Sequence, residues 1–149
     1  MSYTILRPVA FMENFTPDFM GKAFGATLAV GLPADKPLQY VSTSDIGHFA
    51  AQAFINPEKN KNRAIALAGD DLTFAQVDQV FKDKTGSGVP QTFGFIGSAV
   101  LWGVKEMGSM FEFFRGTGYG VQIPELKKEH PGLMTLGDWI EKKSAWAKK

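Results

Sequence analysis

The side chains best suited to acid–base or metal chemistry here are two histidines, His48 and His130, and one acidic pair, Asp70–Asp71. Zinc needs a closed set of nitrogen and sulfur donors, and two isolated histidines in a chain without cysteine do not supply one. His48 falls off the apolar stripe of its predicted helix and reads as a solvated surface residue. His130 precedes Pro131 in a predicted loop with no evident partner. Asp70–Asp71 could bind a cation, but helix capping and a favourable interaction with the helix dipole account for it more simply.

Nucleotide and redox signatures are equally sparse. A glycine fingerprint for a pyrophosphate belongs between a strand and a helix, where backbone N–H groups can approach the phosphates. Gly86-Ser87-Gly88 meets Gln91 where the third glycine belongs, Gly116-Thr117-Gly118 meets Val121, and both follow predicted helices. A tyrosine activated by a lysine four residues on is also missing: Tyr3, Tyr40 and Tyr119 have Arg7, Ser44 and Ile123 at that spacing.

One stretch carries more. Residues 3–15 read as a mostly buried strand, stopped by Pro8, that runs into an irregular loop. In open α/β sheets, ligands bind beyond the carboxyl ends of strands. Glu13 and Asn14 supply polar groups there, and Phe11, Met12 and Phe15 supply apolar walls. An ordinary strand-to-helix connection, capped by Asn14 or Thr16, accounts for the same residues. The run Met110-Phe111-Glu112-Phe113-Phe114 covers more than one helical face and reads as core or interdomain surface, with a lid over a ligand pocket as the sharper alternative.

The elements that must position these residues follow from caps and periodicity. Thr16-Pro17-Asp18 predicts a helix start, and Gly21 and Gly25 predict that this helix is short. Brief strands are expected over 28–32 and 38–42. Residues 42–45 cap a helix whose Ile46, Phe49, Ala50, Ala53 and Phe54 form an apolar stripe, ended by Asn56-Pro57. A strand over 63–68 leads to a Thr73-capped helix with Phe74, Val77 and Phe81 inward, stopped by Thr85-Gly86. A strand is expected over 91–95, then one helix over 97–114 with Ile96, Val100, Val104, Met107, Phe111 and Phe114 on one side. A helical turn over 124–129 and a Thr135-capped helix built on Leu136, Trp139 and Ile140 complete an alternating α/β pattern.

The whole chain sets the bounds. Its 149 residues suit one domain, 1–149, without repeat or linker, able to bury about two-thirds of its unfolded surface. A net charge of +1 gives no reason to expect direct nucleic-acid binding, and the basic tail over 141–149 is too short for a DNA-binding surface. No signal peptide is evident, and no window reaches the roughly 18 apolar residues of a membrane span. A cytoplasmic location is the default, nuclear if the protein is a regulator.

The stretch Thr4-Ile5-Leu6-Arg7-Pro8 through Phe11-Met12-Glu13-Asn14-Phe15 is similar to the sixth-strand segment of NmrA-like proteins, atypical relatives of the short-chain dehydrogenase/reductases. Val41-Ser42-Thr43-Ser44-Asp45-Ile46-Gly47, Asn56-Pro57-Glu58-Lys59, the segment from Ala64 to Thr73, and Met134-Thr135-Leu136-Gly137-Asp138-Trp139-Ile140 resemble further family segments in the same order. The resemblance implies the C-terminal part of a Rossmann-type NAD(P)-binding fold with its smaller substrate-side lobe. The dinucleotide-binding half, with its glycine loop, ribose-phosphate contacts and active-site lysine, would lie before this chain. It implies NADP (or NAD) as cofactor, with Phe11, Met12, Glu13 and Asn14 bordering its nicotinamide end. It also implies a redox sensor with a regulatory protein partner, or alternatively an NAD(P)-dependent oxidoreductase. A lobe that only pairs with another chain, without cofactor, is the remaining alternative.

Overall fold

The computed structural model describes residues 2–147, so Met1 and the last two lysines of the basic tail lie outside the described residues. Strand β1 (Thr4–Pro8) pairs in parallel with β4 (Arg63–Leu67), Thr4 opposite Arg63 and Pro8 opposite Leu67. Val9 N–H still donates to Leu67, and then the chain changes partner: β2 (Ala10–Phe11) runs parallel to β3 (Leu38–Val41). The second strand segment does the same, since Gly69 N–H donates to Tyr40 and β5 (Asp70–Leu72) pairs antiparallel with β3. Strand β3 therefore wedges between the far ends of two strands that lie side by side at their near ends.

Among the described residues β1 has β4 as its sole strand partner, and its burial alternates along its length. The mostly buried strand expected there is thus a half-exposed edge strand, with Ile5 42% exposed. Pro8 is tolerated because an edge strand can spare a ladder donor.

Helix α1 (Phe19–Gly31) is capped by Asp18, whose Oδ1 accepts from Gly21 N–H at 3.0 Å and from the Thr16 hydroxyl at 2.7 Å. The cap is Asp18, neither Asn14 nor Thr16. Gly21 and Gly25 do not shorten this helix, which runs through the segment expected as a strand over 28–32. The two glycines are contact points: a Cβ at Gly21 would collide with the Thr16 backbone, and one at Gly25 with the Pro90 carbonyl. Burial of Leu28 and Thr27 explains the apolar, β-like run, because a short buried helical segment and a buried strand share one composition.

Ser42 caps α2 (Thr43–Ile55), its hydroxyl accepting from Ser44 and Asp45 N–H. A single turn, α3 (Pro57–Asn60), leads into β4. Thr73 and Gln76 form a capping box on α4 (Phe74–Thr85), and Gly86 ends it at φ +80°, where a side chain would be strained.

The single helix expected over 97–114 is two, α5 (Gly94–Gly103) and α6 (Lys105–Arg115), divided at Val104, whose backbone is extended. The strand expected over 91–95 is coil running into α5. The break lets α5 lie on α1, where Gly97 faces the Ala26–Thr27 backbone, while α6 turns Phe111 and Phe114 into the core. Helix α7 (Ile123–Glu129) and the Thr135-capped α8 (Leu136–Lys142) complete the chain.

Two apolar clusters result. Met12, Phe15, Tyr40, Phe81, Phe111 and Trp139 belong to the larger, and Val41, Phe49, Ile65, Leu67 and Leu133 to the smaller. The stripe expected on α2 is buried in part: Phe49 reaches the smaller cluster, whereas Phe54 is 87% exposed at a groove along β1, where nothing among the described residues covers it. No described helix is long and apolar enough to cross a membrane.

Candidate functional site

The carboxyl ends of the parallel strands β2 and β3 lie side by side, Phe11 opposite Val41. After β2 a 3-10 turn, Met12–Asn14, is closed by Phe15 N–H donating to the Met12 carbonyl. After β3 comes the N-terminus of α2. Glu13 joins the two: its Oε1 accepts from Thr43 N–H at 3.0 Å, from the Thr43 hydroxyl at 2.8 Å and from Trp139 Nε1 at 3.1 Å. The partial positive charge at the start of α2 favours a carboxylate at this place. Its second oxygen, Oε2, is buried and has no hydrogen-bond partner among the described residues.

A cleft of about 420 Å³ opens beside this turn. Glu13, Asn14, Thr16 and Asp18 give it one polar side. Met20 and Phe24 of α1 and Met107 and Met110 of α6 give it an apolar one. Helix α6 thus serves two faces: Phe111 and Phe114 anchor it in the core, and Met107 and Met110 face the cleft. Phe111 and Phe114 of the aromatic run are thus core, while Phe113 is 40% exposed.

The four residues singled out in the sequence separate here. Glu13 and Asn14 line the cleft, and Phe11 is partly exposed at the end of β2. Met12 is fully buried in the larger cluster, so it supports the turn from beneath and offers no surface to a ligand. Sequence reasoning missed Thr43, Trp139, Met107 and Met110. A buried indole carries one donor that must find an acceptor, which was the available signal for Trp139.

The histidines also differ from expectation. His130 has a partner, Asp45, with Nε2 3.1 Å from Oδ1, and it stacks on His48 with ring centroids 3.7 Å apart. The second oxygen of buried Asp45 accepts from Met134 N–H at 3.2 Å. Burial, and then His130, hold the His48 imidazole below its ordinary range, with Asp45 opposing. Asp70 does cap a helix: its Oδ2 accepts from Leu136 N–H of α8 at 2.9 Å, while Asp71 pairs with Gln39 across the β3–β5 ladder. Among the described residues no group of three or more His, Asp or Glu side chains could hold a metal ion. Tyr40 is not an activated phenol, because burial, and then Asp71, push its hydroxyl above the ordinary value.

Residues 1–140 match the NmrA-like family. No curated protein sequence matches. Solved structures with the same fold include a nucleoside-diphosphate-sugar epimerase from Staphylococcus aureus, 15% identical with TM-score 0.66, covering 95% of this chain. They also include NmrA, a negative transcriptional regulator, in complex with NADP (17% identity, TM-score 0.59) and in complex with NAD (17% identity, TM-score 0.60), each covering 97% of this chain. The chain spans 53% of the length of each of these structures. It belongs to the NmrA-like family, and its mixed α/β fold is the one these proteins share.

Proposed function

We propose that this chain is the C-terminal, substrate-side portion of an NAD(P)(H)-binding redox sensor or regulator, and that its loop from Phe11 to Asn14 borders the nicotinamide end of NADP (or NAD). The observation that carries the reading is the cleft beside Glu13, at the carboxyl ends of parallel strands, where open α/β sheets receive ligands. The residues present suit a nicotinamide ring. Phe24 and the methionines offer an apolar wall, and Asn14 offers both a donor and an acceptor to a carboxamide.

They do not suit a pyrophosphate. The cleft is lined by two carboxylates and no cation, and no glycine loop follows a described strand. The phosphates therefore need residues other than these. When bound, the dinucleotide supplies hydride chemistry or a readable redox state. A regulatory protein partner follows from the same reading, since NmrA is a negative transcriptional regulator.

Calorimetric titration of NADPH into this chain, and into any longer protein that carries it, tests the proposal. The expected result is saturable binding by at least one of them, weakened at least threefold by Asn14→Ala. Absence of binding by both, or indifference to that substitution, overturns it.

A further inference from the structure

Helix α5 is apolar on both sides. Gly97 sets one side against the Ala26–Thr27 backbone of α1. Phe95, Ala99 and Trp102 fall at i, i+4 and i+7 on the opposite side, and all three are exposed, Trp102 by 92%. Phe93, just before the helix, stacks on Phe95 with ring centroids 5.7 Å apart, and Val104, just after it, is exposed as well. No charged residue lies between Lys84 and Lys105. A helix that is apolar all round is ordinarily buried, so the outer stripe calls for a cover.

The order of residues along α5 says what that cover is. Large and small side chains are arranged symmetrically about the midpoint between Ser98 and Ala99. Phe95 and Trp102 are equally far from that midpoint, and so are Gly94 and Gly103 at the helix ends and Phe93 and Val104 beyond them. A two-fold interface is isologous: if one residue meets a second across the axis, the second also meets the first. An antiparallel pair of α5 helices with its axis at that midpoint therefore sets Phe95 against Trp102 of the second copy, and Phe93 against Val104 of the second copy. Ser98 meets Ala99 at the centre, where small side chains let the two backbones approach closely. Lys105 falls opposite Thr92, so no like charges meet.

Fully burying an aromatic side chain removes about 150–250 Å² from water. Three on each copy bring the pair to on the order of 1,000 Å² in total, the lower bound for a specific interface. Such a dimer forms by mass action and depends on concentration.

We propose that the outer stripe of α5 is a homodimer interface, in which two copies of this chain pair antiparallel about the midpoint between Ser98 and Ala99. It uses none of the residues that line the cleft beside Glu13, so it stands apart from the dinucleotide reading.

The test is sedimentation velocity of the 149-residue chain over a wide range of concentration, where monomer is expected to pass reversibly into dimer. Phe95→Glu and Trp102→Lys each replace an exposed side chain, so their circular dichroism spectra are expected to match the parent. Each variant alone is expected to dimerise at least tenfold more weakly. Mixed in equal amounts, the two are expected to recover a heterodimer. On one side of the axis the introduced carboxylate then faces the introduced ammonium, and on the other a parent Phe95–Trp102 pair remains. A contact in any other register gives no such recovery. A parent chain that stays monomeric, a dimer indifferent to Phe95→Glu, or a mixture no stronger than either variant alone overturns the proposal. Co-sedimentation of a monomeric parent chain with phosphatidylcholine vesicles would also overturn it, by assigning the stripe to a lipid surface.

Discussion

The imidazole of His48 lies flat on that of His130, with planes 11° from parallel. Because burial and His130 lower the His48 pKa, the folded state resists its protonation. Above about pH 6.5 the ring is neutral in folded and unfolded chains alike and contributes no slope. As pH falls below about 6.5 the unfolded chain takes up the proton first, so stability drops until the folded ring is protonated too. Thermal unfolding between about pH 7.5 and pH 5.5 is expected to show a flatter stability profile for His48→Gln than for the parent. Equal slopes would refute the assignment.

Asp45 is 2% exposed and serves His130 and the Met134 amide together. Asp45→Ala orphans a buried N–H and is expected to cost roughly 1–3 kcal/mol in urea unfolding. Asp45→Asn retains an acceptor and should cost less.

Gly97 and Gly47 predict opposite outcomes for one substitution. A Cβ at Gly97 would sit 2.6 Å from the Ala26 carbonyl oxygen, which is backbone and cannot step aside. Gly97→Ala therefore pries α5 from α1, at an expected cost of about 1–3 kcal/mol. Gly47 lies inside α2 with nothing within 4 Å of such a Cβ, so Gly47→Ala is expected to stabilise by about 0.5–1 kcal/mol. Melting temperatures of the two variants check both signs.

Asp138 has its carboxyl lowered to about 2, first by the Thr135 hydroxyl and then by Lys142. A depressed carboxyl contributes stability above its unfolded value, near 3.9, and loses it as pH falls from there to about 2. Thr135→Ala is expected to cost about 0.5–2 kcal/mol at neutral pH. The same variant should show a shallower acid decline than the parent over that window.

Elements whose ends carry capping chemistry were legible in the sequence. Ser42, Thr73 and Thr135 each cap a helix where expected, and Gly86 stops one. Segments with uniform composition were not legible. Residues 28–32 and 91–95 are apolar enough for strands, but Gly25 and Gly97 bring α1 against the 89–97 segment so closely that helix and coil prevail. The site divides in the same way. The polar turn at Glu13 and Asn14 has a local signature, whereas Asp45 meets His130 across 85 residues and no local pattern announces the pairing. Met107 and Met110 face the cleft only because the helix breaks at Val104, a tertiary outcome.

The hydrogen bond from Trp139 to Glu13 spans 126 positions of sequence. Contacts so far apart carry a large loop-closure cost and belong to the late part of folding. Until α8 docks, the Glu13 carboxylate lacks one of its three donors. The full donor set of Glu13 therefore depends on the docking of the seven residues of α8, more than a hundred positions away.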